Sequence, residues 1–245
     1  YRITRVALTA LLRQLDAPAR ITRPTSGAAT LRPRIDALVE SWDDEVASEL
    51  FSPNVDGDLP RDRRRSDVAA AVALVGGLAG PAYDVVAHAP SRLVWWRPGA
   101  TGRLRVEAWL TPELPQRVQL LDVRGVPDPD AALVSAADRI AGSLLAPEPV
   151  WPYDIARAPS VALEPLLVEA QRAVAVGAVG SLDQRPTAAS SAYDATFEVR
   201  GAEARSALSV AIDASSGEVT SCRLVVSGDE WPTSTRTDPV DVVEG

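Results

Sequence analysis

Lysine is missing from this chain: all 25 of its basic residues are arginine. Mechanisms that need a lysine amine are thereby excluded from it, among them phosphate capture by a P-loop, Schiff-base chemistry and Ser-x-x-Lys acyl transfer. Methionine is missing too, so a chain beginning at Tyr1 is read as a processed product or a piece of something longer. A single cysteine, Cys222, cannot form an internal disulfide. With a single histidine, His88, it leaves no Cys/His zinc set and no His-Glu-x-x-His pair. Neither a Gly-x-Ser-x-Gly elbow nor a Gly-x-Gly-x-x-Gly fingerprint occurs, and no metal or cofactor is expected. Long apolar runs are absent as well, so no membrane span is expected.

What is present reads as globular: 46% of the 245 residues are hydrophobic and 24% charged. The net charge of −8 is unevenly spread. Residues 1–34 hold seven arginines against one acid, Asp16, which leaves 18 arginines against 32 acids in the remainder. A duplex-binding surface on the main body is therefore not expected, and nucleic acid is not counted among the partners. The apolar run from Val6 to Leu12 does not make a secretion signal. Any export signal would lie upstream, and this segment by itself leans towards the cytoplasm.

Periodicity divides the chain. Ile3, Ala7, Leu8, Leu11, Leu12 and Leu15 form an amphipathic helix, and Pro18, Pro24, Gly27 and Pro33 mark residues 17–34 as linker. Ile35, Leu38, Val39, Trp42, Val46 and Leu50 predict one helix, ended by Phe51-Ser52-Pro53, with Trp42 in the core. A second helix restarts at Pro60 and runs to the glycines at 76, 77 and 80, which close a helix rather than open a phosphate loop. The period then changes to two, giving four strands from Tyr83 to Arg124; on the third, Leu104, Val106, Ala108 and Leu110 oppose Arg103, Arg105, Glu107 and Trp109. A helix through Leu133, Ala137, Ile140 and Leu144 follows. Next comes a proline-rich stretch, Ala146 to Tyr153, expected to lie extended with its aromatics as anchors. One more helix and three strands, 193–199, 208–212 and 219–226, complete the pattern before an acidic stretch at 229–245 that reads as a mobile tail. The expected division is therefore 1–34, 35–126, 127–159, 160–228 and 229–245, in an α+β fold. The two halves also rhyme: Tyr83-Asp84 with Tyr193-Asp194, Leu104 to Leu110 with Leu208 to Ile212, and Val118 with Val219.

Phe51-Ser-Pro-Asn-Val55, the helix after it, and Gly102-Arg-Leu-Arg-Val-Glu-Ala-Trp-Leu-Thr-Pro-Glu-Leu-Pro-Gln-Arg-Val-Gln119 resemble the NTF2-like superfamily of ketosteroid isomerase and polyketide cyclases. More narrowly they are similar to versions of that domain fused to serine hydrolases in high-GC bacteria. The resemblance covers residues 35–125 and implies there a cone of helices packed on a curved antiparallel sheet; the periodicity beyond it points to a second, smaller α+β domain of similar layout. It implies an accessory region that positions a partner catalytic domain; the alternatives are an isomerase or cyclase, or a module holding a small apolar ligand.

An enzyme of that kind needs a carboxylate of raised pKa and an oxyanion donor inside the cone. Asp84 or His88 as base and Tyr83 as donor are the candidates, although edge-strand residues of this kind commonly face solvent. Arg105 and Glu107 fall on the face a sheet usually leaves solvated. Trp95 and Trp96 are adjacent in one strand and so face opposite sides, one in the core and one outside. The outer member, with Trp109 and with Trp151 of the proline-rich stretch, is the candidate aromatic contact patch. Cys222, in a strand without a local histidine, reads as an inert buried thiol.

Overall fold

The computed structural model describes residues 24–202 and 204–227. The protein is a mixed α+β structure of helices and antiparallel sheets, with no closed barrel among the described residues. The expected opening helix and acidic tail lie outside the described residues.

Helix α1 (Ser26–Glu40) is started by Thr25, whose side chain accepts from the Ala28 N–H, and it buries Ala28, Leu31, Ile35, Leu38 and Val39 along one face. The stretch expected as linker is thus helical from Ser26, and α1 runs straight through the boundary expected at 34/35. Pro33 sits inside the helix with its ring exposed. The single helix expected from Ile35 to Leu50 is two. α1 stops at Ser41, and the Asp43 carboxylate accepts from the Glu45 and Val46 N–H groups to start α2 (Asp44–Leu50). Trp42, at the break, is half-buried rather than core and leans on Phe51 with ring centroids 6.0 Å apart. A single turn, α3 (Val55–Asp58), and α4 (Arg61–Leu74) follow.

The first sheet is a meander, β1 (Tyr83–Ala89), β2 (Arg92–Pro98), β3 (Gly102–Leu110) and β4 (Val118–Pro127), hydrogen-bonded in that order. Its inner face, with Trp95, Leu104, Val106 and Ala108 all at 0% exposure, packs on the apolar faces of α1, α2 and α4. Gly125 permits the close approach of α4, since a Cβ there would stand 2.6 Å from the Ala71 carbonyl oxygen. The alternation expected along β1 is broken. Tyr83 pairs with Trp96 and Val86 with Val94, so one extra residue is inserted, and Asp84 takes φ 48° to accommodate it.

The second half repeats the plan with α5 (Ala131–Leu144), α6 (Leu163–Ala175), β5 (Gly180–Leu182), β6 (Ala188–Ser191), β7 (Asp194–Gly201), β8 (Arg205–Ile212) and β9 (Val219–Ser227). The two short strands β5 and β6, unexpected from sequence because they lack an apolar alternation, both pair with β7. Within the proline-rich stretch only Trp151 is an anchor: its indole N–H donates to the Ile155 carbonyl oxygen at 2.9 Å and its ring packs on the second core. Tyr153, expected to be another, is 99% exposed.

Corresponding backbone bonds make the repeat concrete. The residue capping the first helix of each half donates its N–H to a hairpin turn, Thr25 to Pro90 and Asp130 to Ala192. Leu110 N–H donates to the Ser91 carbonyl as Ile212 does to that of Tyr193, and each of these residues sits at a register shift late in its strand. A parallel bridge joins Phe51 to Val118 and another joins Arg157 to Val219. Gly76 and Gly177, at φ 73° and 70°, close α4 and α6 with the same pattern of bonds. β2, β3 and β4 therefore match β7, β8 and β9, and Trp95 matches Phe197, both fully buried. The Tyr83-Asp84 and Tyr193-Asp194 rhyme is not part of this equivalence, because Tyr193 takes the place of Ser91 in a turn.

Candidate functional site

The face of the first sheet turned away from the helices carries the unusual chemistry. Antiparallel register puts Arg92 beside Trp109, Val94 beside Glu107 and Trp96 beside Arg105; across the next pair, Trp109 meets Leu120, Glu107 meets Asp122 and Arg105 meets Arg124. Glu107 lies at the centre. Its Oε1 accepts from Arg92 Nε at 2.8 Å and from the Trp109 indole N–H at 2.6 Å, and its Oε2 accepts from Arg105 at 2.7 Å. The Arg92 guanidinium also lies 4.9 Å over the Trp109 ring. Arg105 and Arg124 in turn reach Asp122 at 3.7 and 2.8 Å.

The expectation that Glu107 is solvated is corrected by this arrangement, because Glu107 is only 7% exposed. Long arginine and tryptophan side chains lie across the open face and close over the carboxylate. Burial alone would raise its pKa, but the hydrogen bonds from Trp109, Arg105 and Arg92 outweigh it and hold the group down at about 2. Beside it a groove of about 380 Å³ runs from Trp109 and Leu120 over the edge of β4 to Leu59 and Arg64. Arg64 is itself buried; it donates to the Val55 and Leu59 carbonyls and ties down the α3–α4 connection.

The other expected residues scatter. Asp84 and His88 are exposed on the edge strand β1, and Tyr83 lines a separate cleft at the junction of the two halves. Trp95 is the core member of its pair and donates its indole N–H to Asp36 at 2.7 Å. Trp96 is the outer member, half-buried, with the Arg103 guanidinium 3.8 Å above its ring. Trp109 is 40% exposed, so Trp96 and Trp109 share the outer face, whereas Trp95 and Trp151 do not reach it. Arg92 and Arg105 are site residues beyond those the sequence singles out; its signal is a glutamate with arginines on the same strand face, but the cross-strand register that adds Arg92 cannot be read from spacing. Cys222 is half-buried rather than buried, and the burial it has pushes its thiol up to about 12. No group of three or more metal-ligating side chains occurs among the described residues.

The internal repeat offers a comparison within one molecule. In the second half the same register pairs Asp194 with Ala211, Thr196 with Ser209 and Glu198 with Ala207. Ser209 thus stands for Glu107, Ala211 for Trp109 and Ala207 for Arg105. Beyond the molecule itself, no family model, curated protein or solved structure matches the chain.

Proposed function

We propose that this chain is a non-catalytic interaction module that packs against or positions a partner catalytic domain, with the outer face of its first sheet as the contact surface. One observation carries the reading. The second half builds equivalent strands with Ser209, Ala211 and Ala207, so the fold does not require the Glu107, Trp109 and Arg105 cluster of the first. Exposed tryptophan backed by ordered arginine is the composition of interface hot spots. An NTF2-like reading of residues 35–126 is supported by helices leading into a four-stranded antiparallel meander. The partner that the resemblance implies is a serine hydrolase domain.

Chemistry favours this reading over an isomerase or cyclase. The inner face of the sheet is filled by Trp95, Leu104, Val106 and Ala108. A general base works best with its pKa near the operating pH, whereas Glu107 is held at about 2, and Tyr83, Asp84 and His88 do not converge. The test begins by reading the gene upstream of Tyr1 and producing the encoded neighbouring domain with this chain. The 245-residue chain alone should show no hydrolytic turnover. Amides of β3 and β4 should be protected from hydrogen exchange in the complex, and Trp109→Ala should weaken the contact about thirtyfold or more without altering the partner's turnover. Hydrolysis by the isolated chain, or a face left unprotected in the complex, overturns the proposal.

A further inference from the structure

Where the two halves meet, the end of the first sheet and the segment before β6 border an open cleft of about 490 Å³, within the usual size of a small-molecule site. Tyr83, Pro127 and Pro186 give it flat apolar walls, and Arg103 and Arg185 enter it from opposite halves of the molecule. Arg103 is pre-oriented: its guanidinium stacks 3.8 Å over Trp96, and one terminal nitrogen donates to the Pro186 carbonyl at 2.7 Å. Its remaining N–H donors are left in a fixed plane.

The pair differs in charge state from the arginines of the outer face. On the outer face Arg92, Arg105 and Arg124 are all ion-paired. Among the described residues, neither Arg103 nor Arg185 has a carboxylate within ion-pair distance. The repeat sharpens this point. Arg205 occupies the position equivalent to Arg103, and there Glu198, standing where the first half has Trp96, neutralises it at 2.7 Å. The first half has an indole in place of that carboxylate, which orients the arginine without consuming its charge. In a chain of net charge −8, two unpaired arginines facing one apolar-walled cleft make a site for an anion.

We infer that this junction cleft binds a small organic monocarboxylate with a flat apolar body, its carboxylate clamped between Arg103 and Arg185 and its body against Tyr83 and the proline walls. The planar guanidinium fork suits a carboxylate. Asp128, which also lines the cleft, repels a second full negative charge and so selects against a phosphate dianion.

The experiment is a calorimetric titration of the full chain with 2-naphthoate at low ionic strength, alongside neutral 2-naphthalenemethanol and inorganic phosphate. Saturable one-to-one binding of naphthoate is expected, with the alcohol and phosphate each about tenfold weaker or worse. Arg103→Gln and Arg185→Gln should each weaken naphthoate about tenfold, and Asp128→Asn should tighten it. Trp96→Glu, which transplants the neutralising partner of the second half, should abolish binding. Arg63→Gln, on the exposed face of α4 and paired with Asp67, should change nothing. If a variant loses its fold, amide shift mapping on the unaltered chain decides: naphthoate must move Gln184, Arg185 and the Arg103 end of β3. Absence of saturable binding, binding undiminished by both arginine variants, preference for phosphate, or shifts elsewhere each overturn the inference.

Discussion

At the scale of single residues, the charge on Glu107 is set by its neighbours rather than by solvent. A carboxylate held at about 2, against an unfolded value of about 4.3, binds protons more weakly in the folded chain. It therefore stabilises the fold at every pH above the unfolded value, and that contribution drains away as the pH falls from about 5 towards 2. Glu107→Gln should cost about 1–3 kcal/mol near neutrality by leaving Arg92 and Arg105 short of a charged partner. It should also flatten the acid limb of the stability curve, which urea unfolding across a pH series would measure. An unchanged acid limb would mean that the three donors do not act on this group. Alternation along β3 was enough to place Glu107 opposite Val106. Its burial was not legible, because the side chains that close over it come partly from β2 and depend on register. Asp84 failed in the opposite direction: a regular two-residue period put it on a defined face, and the inserted residue at φ 48° removed it.

At the scale of elements, the closest correspondence between the halves lies in how helices stop. Gly76 and Gly177 both end a helix that packs on the last strand of a sheet, and both hold positive φ. Replacing either by alanine should cost about 1 kcal/mol through the left-handed backbone alone, and at Gly76 a Cβ would in addition meet Thr101 Oγ1 at 3.0 Å. Thermal unfolding of the two variants measures this; a cost at one site and none at the other would break the equivalence. The stop at Gly76 was readable, because glycine after an apolar helical period has few other uses. The start of α1 was not: Pro24, Gly27 and Pro33 carry the composition of a linker, and only the buried stripe from Ala28 to Val39 makes that segment a helix. For β5 and β6 the reason is similar, since strands of three and four residues with exposed side chains are held by pairing to β7 and not by their own pattern.

At the scale of the whole molecule, two separate cores follow from the repeat, one around Trp95 and one around Phe197. Each half buries its own helices on its own sheet, and the Arg103 to Pro186 bond joins them across the junction. Leu208→Ala, at a fully buried position of β8, should cost about 2–5 kcal/mol. The loss should be concentrated in one half: hydrogen exchange followed by mass spectrometry should show amides of α5, α6 and β7 to β9 exposed well before those of β2 to β4. Equal loss of protection in both halves would show that the cores unfold as one.

By itself the sequence determined the α+β class, most of the helices, the seven longer strands, and the absence of lysine, disulfide and zinc-set chemistry, because periodicity and residue type are local properties. It also determined that one of Trp95 and Trp96 must be inside, since adjacent strand residues face opposite ways. Only the tertiary structure decided which one, and only it brought Arg92 of β2 onto Glu107 of β3 and set Arg103 and Arg185 on one cleft. Those groupings join residues from different strands or different halves, and which of them meet is fixed by sheet register and packing, neither of which leaves a mark in local spacing.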